Sequence, residues 1–163
     1  MIRICFVCLG NICRSPMAEF IMKKKLKDLN IEAYFYITSK ATSYEETGND
    51  IYPPAKEKLF QEGIPYTKHS AKRLELEDYD KYDYFICMEQ SNIINTRRIF
   101  QKDPENKIFK LIEEKDIADP WYTRNFDETY KDLDKGLDIL INKFYKEWKH
   151  SFLLIYKDKT WFF

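Results

Sequence analysis

The chain has 163 residues, of which 44% are hydrophobic and 33% charged, and this fits one globular domain that can bury a core. Its 27 basic and 27 acidic residues cancel, so the overall charge does not attract nucleic acid or an anionic membrane. The sequence has no apolar run of about 18 residues, so no membrane span is predicted. Any anion site must therefore be local.

The first predicted element is a buried strand over "IRICFV", residues 2–7, which ends at a glycine-containing loop. A helix is expected to follow from Ser15, a residue type that often caps helix N-termini. Pro16 suits the first helical position, and Glu19 would complement the positive end of the helix dipole.

The later elements alternate between strands and helices. Strands are predicted at residues 33–39, 82–88 and, more weakly, 107–112, and helices at residues 52–64 (closed by Gly63), 91–101 and 127–148. This alternation predicts a single-domain α/β fold, a doubly wound parallel sheet of about four strands with helices on both faces. Ligands of such sheets bind beyond the carboxyl ends of the strands, where the loop after the first strand would lie.

The loop between the first strand and the first helix, residues 8–15, has the composition of an anion site. Gly10 and Asn11 tolerate a left-handed turn, and unpaired amides at a helix start attract an anion. Arg14 offers paired donors that match phosphate oxygens. A Cys8 thiolate, with a hydrogen bond from Ser15, could attack such a phosphoryl group. The simpler alternative is that Cys8 is only a small buried residue.

The stretch "VCLGNICRSPMAE" resembles the phosphate-binding loop of the low-molecular-weight protein tyrosine phosphatases. The resemblance covers about residues 2–148, and we expect a phosphatase-like domain over residues 1–150, followed by an apolar extension, residues 151–163. It implies that Cys8 is the nucleophile, with Arg14 as the phosphate clamp. The implied phosphate-binding residues are Leu9, Gly10, Asn11, Ile12, Cys13, Arg14 and Ser15.

The second chemical requirement is a proton donor for the leaving oxygen, because a tyrosine hydroxyl has a pKa near ~10. Asp119 precedes a proline and two aromatic residues; from the residues alone a simple turn is favoured there. The resemblance instead implies that Asp119 is the general acid and then the base. It also implies a substrate cleft, lined by Ile12, Tyr44, Trp121 and Tyr122.

The resemblance further implies a supporting network around the loop. Its members would be Asn11, Ser15, Ser39 and His69, with Ser15 also stabilising the thiolate. Lys40 stands where the family has a small residue and could alter the cleft rim. Tyr44 lies one position earlier than the usual cleft aromatic.

The four cysteines are Cys5, Cys8, Cys13 and Cys87, and this clustering indicates a reducing, cytoplasmic setting rather than a disulfide framework. The short apolar N-terminus also does not fit a secretory signal. Cys5 and Cys8 have thioredoxin-like spacing, but Cys5 would lie within the strand. Cysteines at these spacings do not form a zinc ligand set. The resemblance implies that Cys8 and Cys13 can form a reversible disulfide.

The predicted function is hydrolysis of phosphotyrosine in proteins through a cysteinyl-phosphate, without metal or cofactor. A phosphoarginine phosphatase of the same fold is the alternative, although that branch has threonine where Ile12 stands and an apolar residue suits a phenyl ring. A thiol-dependent arsenate reductase fits less well, because Cys87 has no downstream partner cysteine. A non-catalytic phosphate-binding module would not need Cys8, Ser15 and Asp119 together.

Overall fold

The computed structural model describes the backbone of residues 1–157 and the side chains of residues 1–148. In chain order the elements are β1 (Ile2–Cys8), α1 (Arg14–Asp28), β2 (Phe35–Ala41), α2 (Pro53–Gln61), β3 (Tyr84–Cys87), α3 (Gln90–Phe100), β4 (Ile108–Lys110), α4 (Pro120–Thr123) and α5 (Phe126–Lys157). Short 3-10 turns precede β2 (Glu32–Tyr34) and β3 (Leu76–Lys81).

The four strands form one parallel sheet in the order β2-β1-β3-β4. The chain adds β2 on one side of β1 and then returns to place β3 on the other side. The carboxyl end of β1 is therefore the point where the strand order reverses, which is where parallel α/β sheets bind their ligands. The predicted doubly wound parallel sheet is confirmed.

The two faces of the sheet pack against different helices because side chains alternate along a strand. Ile4, Phe6 and Cys8 of β1 face a core shared with α1, α2 and α5. Cys5 and Val7 face the opposite core, which includes residues of α3. The apolar run in β1 is thus buried on both sides, as the unbroken hydrophobic sequence predicts.

The prediction for the start of α1 was wrong in detail. The helix begins at Arg14, and Cys13 occupies the N-cap position without a side-chain cap. Ser15 cannot cap because its hydroxyl contacts Cys8 and Asn11 instead. Pro16 is the third helical residue. Its missing amide hydrogen costs no helical hydrogen bond there, because the first four amides of a helix have no partner within it. Glu19 lies beyond the first turn and bonds to Ser39.

Helix α5 is longer than predicted. It runs from Phe126 to Lys157 and so includes the first residues of the expected extension, which are helical. Residues 158–163 lie outside the described part of the chain, and the predicted division at residue 150 stays a prediction. Among the residues that the structure describes, no helix is long and apolar enough to cross a membrane.

At Gly136, α5 packs closely against the segment after β4. A Cβ atom at this position would lie 2.9 Å from Cγ of Leu111 and 3.2 Å from Cγ1 of Ile112. We expect Gly136→Ala to lower the free energy of unfolding by about 1 kcal/mol, because overpacking outweighs the helix-propensity gain of about 1 kcal/mol. Urea denaturation would measure this, with the exposed neighbour Lys135→Ala as the control. An increase in stability would contradict the close packing.

Candidate active site

The loop after β1 surrounds a cavity, and three of its carbonyl groups accept hydrogen bonds from amides outside the loop. The carbonyls of Cys8, Leu9 and Ile12 accept hydrogen bonds from the amides of Thr42 (3.0 Å), Ser43 (3.1 Å) and Tyr52 (2.9 Å). Within the described residues, no backbone carbonyl accepts a hydrogen bond from the amides of residues 9–13. Apart from the amide of Asn11, which donates to Cys8 Sγ, these amides are therefore available to an anion, which is the arrangement that phosphate-binding loops use.

Cys8 lies at the base of this loop with 3% of its surface exposed. Its Sγ atom is 3.0 Å from Oγ of Ser15 and accepts a hydrogen bond from the amide of Asn11 at 3.3 Å. Ser15 Oγ already accepts a hydrogen bond from Nδ2 of Asn11 at 2.8 Å, so its own hydrogen can point to the sulfur. The sulfur therefore has two hydrogen-bond donors within reach.

Asn11 holds the loop in a left-handed turn (φ +61°) and is fully buried. Its Nδ2 donates to Ser15 and, at 2.9 Å, to Oγ of Ser39. Its Oδ1 lies 3.1 Å from Nε2 of His69 and accepts a hydrogen bond from the amide of Lys72 at 3.2 Å. The structure thus brings together all four residues of the expected supporting network.

The network continues to residues that sequence reasoning missed. Ser39 donates to Oε2 of Glu19 at 2.6 Å, so its oxygen is free to accept from Asn11. On the other side, Asp50 Oδ1 accepts a hydrogen bond from the amide of His69 at 2.9 Å and so fixes the backbone that carries the imidazole. Neither carboxylate has a sequence signal that distinguishes it from the many acidic residues of this chain.

Arg14 is the most deeply buried charge of the site, with 1% of its surface exposed. Its NH1 group donates to Oε2 of Glu89 at 2.8 Å and to the carbonyl of Ile117 at 2.9 Å, and NH2 donates to Oδ2 of Asp119 at 3.0 Å. Burial alone would lower the pKa of Arg14, but the negative charges of Cys8, Glu89 and Asp119 raise it. The guanidinium therefore remains charged at the edge of the cavity.

Glu89 was not predicted as a site residue. Burial would raise the pKa of its carboxyl, but hydrogen bonds from Arg14 and Ser91 hold that pKa below its ordinary value. The available signal was its position: Glu89 comes just after β3, at the same edge of the sheet as the loop after β1.

Asp119 comes directly before α4 and reaches into the same site. Its Oδ1 accepts a hydrogen bond from the amide of Trp121 at 3.0 Å, which caps α4, while its Oδ2 bonds to Arg14. Asp119 therefore forms the expected turn and also lies beside Arg14, and its catalytic role stays a prediction. A phosphoryl group on the loop would compete with Asp119 for the NH2 group of Arg14.

The lining of the cavity over the loop includes both aromatic and acidic residues. The residues that line it are Cys8, Leu9, Gly10, Asn11, Ile12, Cys13, Arg14, Glu45, Glu46, Asp119, Trp121 and Tyr122. Ser15, expected to bind phosphate, lies behind the cysteine rather than in this lining. Ile12, Trp121 and Tyr122 all line the cavity, and their contact with a substrate stays a prediction.

Tyr44 is a correction to the predicted cleft. It is 62% exposed and lies outside the cavity lining, where its ring packs 4.5 Å from the guanidinium of Arg73. The side chains of Glu45 and Glu46 line the cavity instead. Lys40 does not alter the cleft rim, because its ammonium group bonds to the buried carboxylate of Asp78 at 2.7 Å.

All four cysteines are free and buried. Cys5 and Cys8 face opposite sides of the sheet, so their spacing does not form a redox pair. Burial, followed by the charge of nearby Cys8, raises the pKa of the Cys13 thiol, and burial raises the pKa of Cys87 to about 12. A protective disulfide between Cys8 and Cys13 stays a prediction. No group of side chains in the described part of the chain could hold a metal ion.

A model of the family described as low molecular weight phosphotyrosine protein phosphatase matches residues 3–150 of the chain. The chain belongs to this family. The phosphatase PtpA of Staphylococcus saprophyticus, named a low molecular weight protein-tyrosine-phosphatase, is 40% identical over 152 residues, which are 90% of this chain and 96% of that protein. The corresponding PtpA of Staphylococcus aureus strain MRSA252 is 36% identical over the same shares.

Two solved structures have the same fold. The Streptococcus pyogenes low molecular weight protein tyrosine phosphatase matches with a TM-score of 0.82 and 38% identity, over 88% of this chain and 93% of that one. YfkJ of Bacillus subtilis matches with a TM-score of 0.86 and 33% identity, over 90% and 96%. The predicted family is confirmed.

The Asp50 carboxylate provides a pH-dependent test of the supporting network. A hydrogen bond from Lys56 lowers the pKa of Asp50 from its ordinary 3.8 to about 2. Its stabilising effect is therefore complete above about pH 4 and is lost as the pH falls toward 2. Because the side chain is 33% exposed, solvent screening reduces the effect, and we expect Asp50→Asn to lower the free energy of unfolding by about 1 kcal/mol at neutral pH.

Urea denaturation of the wild type and of Asp50→Asn at a series of pH values would measure this difference. It should shrink as the pH falls below about 4. The exposed Asp80→Asn is the matched control and should show little difference at any pH. A difference for Asp50→Asn that is independent of pH would contradict the assignment.

Proposed function

We propose that this member of the family is a protein tyrosine phosphatase that hydrolyses phosphotyrosine through a cysteinyl-phosphate. One observation supports this most directly: Cys8 Sγ lies beneath a loop whose amides have no backbone partners, in the same cavity as Arg14 and Asp119. A binding site alone would not need a buried nucleophile that a serine hydroxyl and an amide both contact.

In the first step the Cys8 thiolate attacks phosphorus and the bond from phosphorus to the tyrosine oxygen breaks. Arg14 and the loop amides stabilise the charge on the remaining oxygens, which supplies most of the catalysis in phosphoryl transfer. Protonated Asp119 donates its proton to the departing oxygen. The product tyrosine leaves with a neutral hydroxyl group.

In the second step the Asp119 carboxylate takes a proton from a water molecule, whose oxygen attacks the phosphorus. The sulfur–phosphorus bond breaks, the Cys8 thiolate is regenerated and inorganic phosphate is released. Every proton and bond is accounted for by these side chains and water, so we propose that the reaction uses no metal or cofactor. We further propose that the substrates are phosphotyrosine proteins of the cytoplasm.

Substitution of the two catalytic residues tests this mechanism. Cys8→Ser should abolish turnover and retain phosphate binding, as measured by calorimetry, because the amides and Arg14 remain. Asp119→Ala should lower kcat/KM for phenyl phosphate by about 100-fold or more and that for p-nitrophenyl phosphate much less, since the nitrophenolate needs no proton. An equal loss on both substrates would remove Asp119 from the role of acid. Asp80→Ala is the control.

Phosphoarginine is a second candidate substrate, and the two glutamates in the cavity lining favour it. Glu45 and Glu46 line the cavity where a guanidinium group would bring positive charge. Ile12, which also lines the cavity, favours a phenyl ring instead. A thiol-dependent arsenate reductase is not favoured, because Cys87 is buried on the opposite face of the sheet from Cys8.

Steady-state hydrolysis of a phosphotyrosine peptide and a phosphoarginine peptide of otherwise equal sequence separates the two candidates. We expect a clear preference for phosphotyrosine, in EDTA and a thiol reductant. If phosphoarginine is preferred, Glu45→Gln/Glu46→Gln should reduce that preference, whereas the exposed acidic pair Glu113→Gln/Glu114→Gln, which borders a separate groove, should not. Turnover of neither peptide would contradict the proposed function.

A further inference from the structure

Tyr52 lies between the phosphate-binding loop and the segment that carries Asp119. Its amide donates to the carbonyl of Ile12 at 2.9 Å, which attaches it to the loop. Its ring centroid lies 4.8 Å from that of Trp121, and its hydroxyl accepts a hydrogen bond from NH1 of Arg124 at 2.8 Å. One residue therefore contacts both halves of the proposed catalytic machinery.

Arg124 ends α4 in a left-handed conformation, with a φ of +58°. This conformation is unfavourable for a residue with a Cβ atom, so its surroundings must stabilise it. The guanidinium lies 5.3 Å from the ring centroid of Trp121 and 5.8 Å from that of Tyr52, both within the range of cation–π attraction. The side chain of Arg124 thus packs against the rings of both Tyr52 and Trp121.

Helix α4 has no independent stability, because Pro120–Thr123 is a single turn. Its position must be fixed by its contacts. Trp121 is the link to the acid, since its amide donates to Asp119 and its ring packs on Tyr52. The placement of the Asp119 carboxyl over the loop therefore depends on where Tyr52 and Arg124 hold this turn.

We propose that the contact between Tyr52 and Arg124, which we call the Tyr52–Arg124 bridge, positions Asp119 for proton transfer to the leaving group. Neither residue needs to touch the substrate for this role. The inference rests on the proposed function, because it assumes that Asp119 is the general acid. It adds two residues, far apart in sequence, that determine how well the acid works.

The test separates positioning from general stability by varying the leaving group. We expect Tyr52→Phe and Arg124→Gln each to lower kcat/KM for phenyl phosphate by about 3- to 10-fold, the effect of one lost hydrogen bond. The same variants should change kcat/KM for p-nitrophenyl phosphate less than about 2-fold, because that leaving group needs little protonation. The ratio kcat/KM reports the first chemical step, so slow hydrolysis of the cysteinyl-phosphate does not affect it.

Matched controls are Tyr36→Phe on the exposed side of β2 and Arg98→Gln on α3, which should leave both substrates unchanged. Arg124→Lys, which retains the charge and a donor, should recover part of the loss. Tyr52→Phe keeps the ring and therefore the packing, so it is expected to fold. Equal losses on both substrates, or no loss on either, would overturn the bridge proposal.

The same experiment in an Asp119→Asn background distinguishes failure of the Tyr52–Arg124 bridge proposal from failure of the assignment of Asp119 as the general acid. Without the acid, Tyr52→Phe and Arg124→Gln should have no further effect on phenyl phosphate, since the effects of residues that act through one another do not add. If Asp119→Asn itself affects both substrates equally, the acid assignment fails and the bridge proposal fails with it. If Asp119→Asn is selective and the bridge variants are not, only the bridge proposal fails.

Discussion

The site depends on one buried amide side chain in a left-handed turn. Asn11 must pair both its Nδ2 and Oδ1 groups because it is fully buried, and unpaired buried polar groups are expensive. Its partners come from α1 (Ser15), from β2 (Ser39) and from the segment at His69. The shape of the loop therefore depends on the pairing of β1 with β2 and on the positions of α1 and the His69 segment, and these same contacts fix the surroundings of the Cys8 thiol.

The buried guanidinium of Arg14 connects the same loop to the other half of the fold. Glu89 follows β3, and Asp119 follows β4, so the three charged groups meet only because parallel strands end at one edge. Two carboxylates around one arginine keep it charged and oriented without substrate. A phosphoryl group then meets a guanidinium that is already held at the cavity, and NH2 exchanges its bond to Asp119 for one to a phosphoryl oxygen.

The sequence predicted what depends on local pattern. The strand β1, the loop after it and the alternation of elements follow from an apolar run, a specific motif and helix signals. Ser15 was misassigned as a cap because its hydroxyl is used by Cys8 and Asn11, which only the folded loop reveals. Tyr52 was missed because its partner Arg124 lies 72 residues away, a separation that no local pattern encodes. Glu89 follows β3 and could have been placed at the sheet edge, but its pairing with Arg14, 75 residues away, could not have been predicted.

The long separation between Arg14 and its partners also has a consequence during synthesis of the chain. The loop and its thiol leave the ribosome first. The last group that bonds to Arg14 is Asp119, which follows the edge strand β4. An amino-terminal fragment would hold a buried arginine without its carboxylates, a state that low dielectric strongly disfavours. Catalytic competence therefore arises only when β4 has joined the sheet and the segment after it has placed Asp119 beside Arg14.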